Sequence, residues 1–86
     1  MRKHYHAILK NRFHNFLVHT REDLQLTQSQ MANILSMDYR SYAELDHGKS
    51  CCSALTLVLY LIYCCPAPQM FLQELKDAFE NTTDAA

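Results

Sequence analysis

Four cysteines and five histidines are the side chains in this 86-residue sequence best suited to metal or redox chemistry. Cys51 and Cys52 are adjacent, as are Cys64 and Cys65. The two pairs bracket a stretch that reads as a helix of about 12 residues, which holds its ends ~18 Å apart. Zinc sites usually space their cysteines by about two to four residues so that both thiolates turn toward one ion. No single ion can take all four here. A disulfide framework is not expected in a reducing cytosol. The thiols read as small buried or half-buried hydrophobes, with a redox-sensitive or intermolecular thiol as the alternative. His4 and His6 alternate on a helix and point to different sides, and His14 and His19 complete no cluster. Neither a metal nor a cofactor is expected. No serine, cysteine or carboxylate has a recognisable base and oxyanion motif beside it, and with one glycine there is no glycine-rich phosphate loop. An enzyme is not expected.

The other polar groups with informative spacing lie between Thr27 and Lys49, TQSQMANILSMDYRSYAELDHGK. Met31, Ala32, Leu35, Met37, Tyr42 and Leu45 fall at helical spacing in two short segments, leaving Gln28, Ser29, Arg40 and Glu44 on the solvent side. Two short helices joined by a tight turn, each with one packing face, are the pattern of a DNA-reading helix-turn-helix.

Those segments need a frame, and five helices account for the chain. The first spans about His4 to Asp23, ends near Gln25, and carries a stripe of Tyr5, Ile8, Leu9, Phe13, Phe16 and Leu17. The second covers Gln28 to Leu35, with Thr27 as N-cap and Gln30 placed to complete a capping box. The third covers Tyr39 to Asp46, capped by Asp38 and closed by Gly48, the only glycine, in a left-handed conformation. The fourth runs from Ala54 to about Cys64 behind Ser53. Leu55, Leu57, Val58, Leu59, Tyr60, Leu61, Ile62 and Tyr63 make it apolar nearly all round, so it should be central or packed on two sides. Pro66 and Pro68 separate it from a fifth helix, about Pro68 to Phe79, with Phe71, Leu72, Leu75 and Phe79 on one stripe. Residues 1–80 form a single domain in this reading, and 81–86 a disordered tail without packing residues. The sequon at Asn81, Thr82 and Thr83 is a coincidence in a cytosolic protein.

A chain of this length makes one small domain whose core is marginal unless surface is shared with a second copy. About half the residues are apolar, and the scarcity of glycine favours helices over a turn-rich sheet. The longest apolar run, Ala54 to Cys65, is broken by Thr56 and is shorter than the roughly 20 residues a membrane-spanning helix needs. With no secretory signal ahead of the first helix, a cytoplasmic location without membrane partners is expected. The net charge of −1 divides into +2 over residues 1–50 and −3 over residues 51–86, and all five histidines lie in the first part. The amino-terminal portion can face phosphate while the carboxy-terminal portion faces away. The third helix itself sets Asp38, Glu44 and Asp46 against Arg40 alone.

The run Arg21, Glu22, Asp23, Leu24, Gln25, Leu26, Thr27, Gln28, followed by Met31, Ala32, Leu35, Met37, Tyr42, Leu45, Gly48, Lys49 and Ser50, resembles the Cro/C1-type (XRE) helix-turn-helix family of phage and bacterial repressors. The resemblance covers about residues 17–65. Ala32 matches the family's small residue inside the second helix, and Tyr42 and Leu45 match its buried positions in the third. Ser36 stands where the family usually has a turn glycine, which places a non-glycine at positive φ at a cost of ~1 kcal/mol. Gln25 likewise replaces a common glycine.

The resemblance implies an all-α, five-helix lambda-repressor-like DNA-binding domain and a sequence-specific transcriptional regulator, a repressor of a prophage or mobile element. Carried over position by position, it points Tyr39, Arg40, Ala43 and Glu44 into the major groove of double-stranded DNA. Arg40 would bond guanine, Glu44 a cytosine amino group, and the Ala43 methyl a thymine methyl. Gln28, Ser29, Ser41 and Lys49 would hold phosphates. A single reader covers a half-site, so the family mode implies a homodimer on a pseudo-palindrome. Leu59, Tyr60, Ile62, Tyr63, Met70 and Phe71 carry the surplus apolar surface for that interface. The alternative is a helix-turn-helix-derived module that binds or inhibits a protein partner through its aromatic helices or acidic third helix.

Overall fold

The computed structural model describes residues 2–85 as five α-helices: α1 (Arg2–Asp23), α2 (Gln28–Ile34), α3 (Tyr39–Asp46), α4 (Ala54–Tyr63) and α5 (Pro68–Ala85). Among the described residues there is no strand. The all-α, five-helix reading holds, and α3 has the expected bounds. α1 begins earlier than His4, and α2 stops one residue short of Leu35, which becomes its C-cap. α5 differs more. Instead of ending near Phe79 and giving way to a disordered tail, it continues through Ala85, while Ala86 lies outside the described residues. No glycine or proline follows Pro68, so nothing interrupts a helix once it is nucleated.

The three expected N-caps form through contacts only three residues long. Thr27 Oγ1 accepts from the Gln30 amide at 3.1 Å while Gln30 Oε1 accepts from the Thr27 amide at 2.8 Å, a complete capping box. Asp38 accepts from the Ser41 amide at 3.1 Å, and Ser53 from that of Thr56 at 3.2 Å. Helix ends follow one pattern too. After α1, α2 and α3 a residue with φ of 56°, 56° and 74° respectively, Gln25, Ser36 and Gly48, reverses the chain. Each is flanked by the paired bonds of a Schellman motif. Leu26 donates to Arg21 and Gln25 to Glu22; Met37 to Ala32 and Ser36 to Asn33; Lys49 to Glu44 and Gly48 to Leu45. Only the third uses glycine. A Cβ at Gly48 would also lie 3.3 Å from the His14 ring, so the space there is closed as well as the backbone left-handed.

α1 is the spine, packing against α5 and α3, while α2 lies on α3. The core joins Phe13 and Leu17 of α1 with Met31, Ala32 and Leu35, Tyr42 and Leu45, Tyr60 and Cys64, and Phe71 and Leu75. Met37 is half-buried at its edge. Tyr60 sits at the centre with no exposed surface. Its ring meets Phe13 edge-on at 5.2 Å and Phe71 at 6.0 Å. Its hydroxyl lies 2.9 Å from Thr20 Oγ1 and donates to the Phe16 carbonyl at 3.3 Å. Burial pushes the Tyr60 phenol pKa up.

α4 corrects another expectation. Although apolar all round, it buries one face only, Thr56, Tyr60 and Cys64, at intervals of four residues. Leu55, Val58, Ile62 and Tyr63 remain exposed at 67%, 49%, 63% and 69%. No helix among the described residues is long and apolar enough to cross a membrane.

Candidate nucleic-acid interface

α3 turns Tyr42, Leu45 and Asp46 inward and sets Tyr39, Arg40, Ala43, Glu44 and then His47 on the other side. This division follows from helical periodicity, since positions 42, 45 and 46 share one face. Tyr39 is 54% exposed, Arg40 and Glu44 are exposed, and Ala43 is half-buried between them. Ser29, Ser41 and Lys49 are exposed at the neighbouring helix ends. The Ser41 amide is engaged by Asp38, and Ser41 is exposed beside Arg40. The exposed charges on this side are Arg40 and Lys49, with Glu44 and the capping Asp38 against them. The Asp38 carboxyl is held below its ordinary range by the Ser41 hydroxyl and amide.

Asp46 does not belong to that exposed set. It is 6% exposed and is the hub of a polar network between α1, α2 and α3. Arg21 donates from Nε to Oδ1 at 2.9 Å and from Nη2 to Oδ2 at 3.4 Å, while Tyr42 donates to Oδ1 at 3.0 Å and Gln28 to Oδ2 at 2.9 Å. The remaining Arg21 fork reaches the Leu26 carbonyl at 3.2 Å, bracing the turn before α2. Burial alone would raise the Asp46 pKa, but the hydrogen bonds from Gln28, Arg21 and Tyr42, with the Arg21 charge, bring it below the ordinary value. The bond to Asp46 raises Arg21, and burial followed by the same carboxylate raises Tyr42.

The network corrects two sequence readings. Asp46 puts no charge on the outer side of α3, because its carboxylate is buried against Arg21. Gln28 does not stand free for a phosphate: it is half-buried, and its amide is engaged at both ends. Nε2 donates to Asp46 while Oε1 accepts the Tyr39 hydroxyl at 2.8 Å. Gln28 thereby ties the first residue of α2 to the first residue of α3. Sequence reasoning missed Arg21 as a member of this group. The available signal was Asp46 falling four residues after Tyr42 on the packing face, where a carboxylate needs a cation.

The six residues expected at a dimer interface separate into three kinds. Ile62, Tyr63 and Met70 are exposed and Leu59 is half-buried, but Tyr60 and Phe71 have no exposed surface and belong to the core of their own chain. All four cysteines are free thiols, Cys64 buried and the others half-buried. Among the described residues no three His, Cys, Asp or Glu side chains come together as a metal site. His14 sits against the end of α3, its Nδ1 3.3 Å from the Leu45 carbonyl. No protein-family model matches this chain, and no curated protein or solved structure does either.

Proposed function

We propose that this chain is a sequence-specific DNA-binding transcriptional regulator of the Cro/C1 type, a repressor that occupies a pseudo-palindromic operator as a homodimer. The observation that carries the reading is the pairing of α2 and α3. Two short capped helices meet across a turn held by Ser36 at positive φ, and the second presents Tyr39, Arg40, Ala43 and Glu44 outward while its inner face is anchored in the core. An element of that size and shape fits the major groove. Withdrawal of Asp46 from the outer face removes one of the charges that would repel phosphate. In this reading Arg40 and Glu44 read base edges, Ser29, Ser41 and Lys49 hold the backbone, and Gln28 acts by positioning Tyr39. The exposed stripe of Leu55, Val58, Ile62 and Tyr63, extended by Met70, is the dimer face.

Selection of bound sites from a random DNA pool tests this directly. An enriched palindrome at physiological salt supports both the reading and the symmetry, whereas the absence of enrichment overturns it. The second reading rests on the same α4 stripe: residues 50–73 contain no charged side chain, which also suits an apolar protein partner. That protein-interaction or inhibitor module would enrich no DNA site and would form a defined complex with one partner.

A further inference from the structure

We propose that Tyr39 reads a base amino group, adenine N6 or cytosine N4, as a hydrogen-bond acceptor only, because the buried Asp46 fixes the direction of the hydrogen bonds that link them. The inference rests on the DNA-binding reading and adds which base edge this side chain selects. Asp46 is an ionised carboxylate with no proton to give. Arg21 Nε, the Tyr42 hydroxyl and Gln28 Nε2 all donate to it, at 2.9, 3.0 and 2.9 Å. The Gln28 amide is thereby oriented, since turning it over would set its oxygen against the carboxylate.

With Nε2 held by Asp46, Oε1 faces the Tyr39 hydroxyl at 2.8 Å and can only accept. A phenol has one proton, and here it is given to Gln28. The Tyr39 oxygen keeps only its lone pairs for a ligand. Tyr39 is 54% exposed at the first position of α3, and its bond to Gln28 lies at the surface, so a ligand can reach that oxygen.

That polarity selects the ligand chemistry. Phosphate oxygens, guanine O6 and N7, adenine N7 and thymine O4 all accept, and none can bond an oxygen whose proton is already engaged. The donors on the major-groove edge are cytosine N4 and adenine N6. Tyr39 therefore discriminates an amino base from a keto base at one position and is not a phosphate contact. Arg40 beside it carries donors only, so the two neighbours read opposite kinds of edge.

Affinity of the full chain for its selected operator, with single functional groups deleted from the bases, tests this. At the base pair whose preference Tyr39→Phe changes, purine in place of adenine, or pyrimidin-2-one in place of cytosine, removes the amino group. The deletion should weaken the wild-type chain about three- to tenfold more than it weakens Tyr39→Phe, the range of one neutral hydrogen bond. Deleting the keto oxygen of the partner base, or replacing the nearest phosphate by a methylphosphonate, should affect both proteins alike. Gln28→Met supplies a second arm, because it frees the Tyr39 proton without removing the hydroxyl. On a site with that base pair inverted, so that a keto oxygen stands where the amino group stood, Gln28→Met should bind about threefold tighter than the wild-type chain or more. Lost support for Tyr39 cannot produce such a gain. Circular dichroism confirms each fold. Coupling of Tyr39 to a keto oxygen or a phosphate, coupling to no base, or no gain with Gln28→Met overturns the inference while leaving DNA binding standing. Failure to select any operator overturns the DNA-binding reading and this inference with it.

Discussion

Arg21 and Asp46 meet across the seam between α1 and α3, guanidinium Nε 2.9 Å from the carboxylate, with side chains 20% and 6% exposed. The pair fixes how α3 is seated, because Tyr42 and Gln28 converge on the same carboxylate and Gln28 passes the constraint on to Tyr39. Asp46→Ala leaves the Arg21 Nε and the Tyr42 hydroxyl without their acceptor in a largely buried seam. Breaking such a pair from one side costs about 3 kcal/mol. Urea unfolding should show that loss as a lower midpoint at unchanged slope, with Asp46→Asn losing less.

The same group predicts an acid limb. The Asp46 pKa is lower in the folded chain than its ordinary value of 3.8, so its contribution is complete above that value and fades as pH falls through the folded pKa. Thermal melts from about pH 7 to about pH 2, roughly the range over which carboxylates titrate, should lose stability chiefly below the ordinary aspartate value. Asp46→Asn should flatten that limb; an unchanged profile would count against Asp46 as its source.

Two of the three left-handed helix ends carry side chains that the conformation disfavours by ~1 kcal/mol. Ser36→Gly and Gln25→Gly should each be neutral to stabilising by up to about 1 kcal/mol, since relief of strain opposes the greater freedom of unfolded glycine. At Gly48 the sign reverses, because φ is 74° and the His14 ring stands 3.3 Å from a new Cβ. Gly48→Ala should destabilise by about 1–2 kcal/mol. Differential scanning calorimetry of the three variants separates these outcomes.

On DNA, two exposed cations should give different signatures. Arg40→Ala should cost about 1–3 kcal/mol on the selected site and relax preference at one base pair. Lys49→Ala should weaken binding to all sequences and reduce the salt slope by about one unit. Equal losses of both kinds from the two variants would remove the assignment of Arg40 to base reading.

The α4 stripe should govern self-association. Sedimentation equilibrium should find a dimer in the wild-type chain and a folded monomer for Ile62→Glu combined with Tyr63→Glu, because the proposed contact would desolvate the added carboxylates without a counter-charge. A wild-type monomer at high micromolar concentration would exclude this interface. Tyr60 and Phe71 are unsuitable for the test, since both are in the core and their replacement would disturb folding as well as association.

Local features were legible in the amino-acid sequence because their causes span a few residues. Thr27 with Gln30, Asp38 with Ser41, and Ser53 with Thr56 close hydrogen bonds three residues apart, so a cap is readable wherever its residue types occur. The inward positions Ala32, Tyr42 and Leu45 follow from the period of the helix, and positive φ at Gly48 from where the third helix stops, whereas that at Ser36 is expected only through the family resemblance. α5 outran its expected end because a disordered tail was inferred from missing apolar residues, although no breaker was there. Tertiary structure alone decided which of many apolar residues the single small core could accommodate. It took Tyr60 and Phe71 and left Ile62 and Tyr63 outside, a choice that depends on how α1 and α5 approach α4. It also decided the fate of charge: Asp46 belongs to the interior because Arg21 arrives from another helix, a pairing 25 residues long that no local pattern encodes.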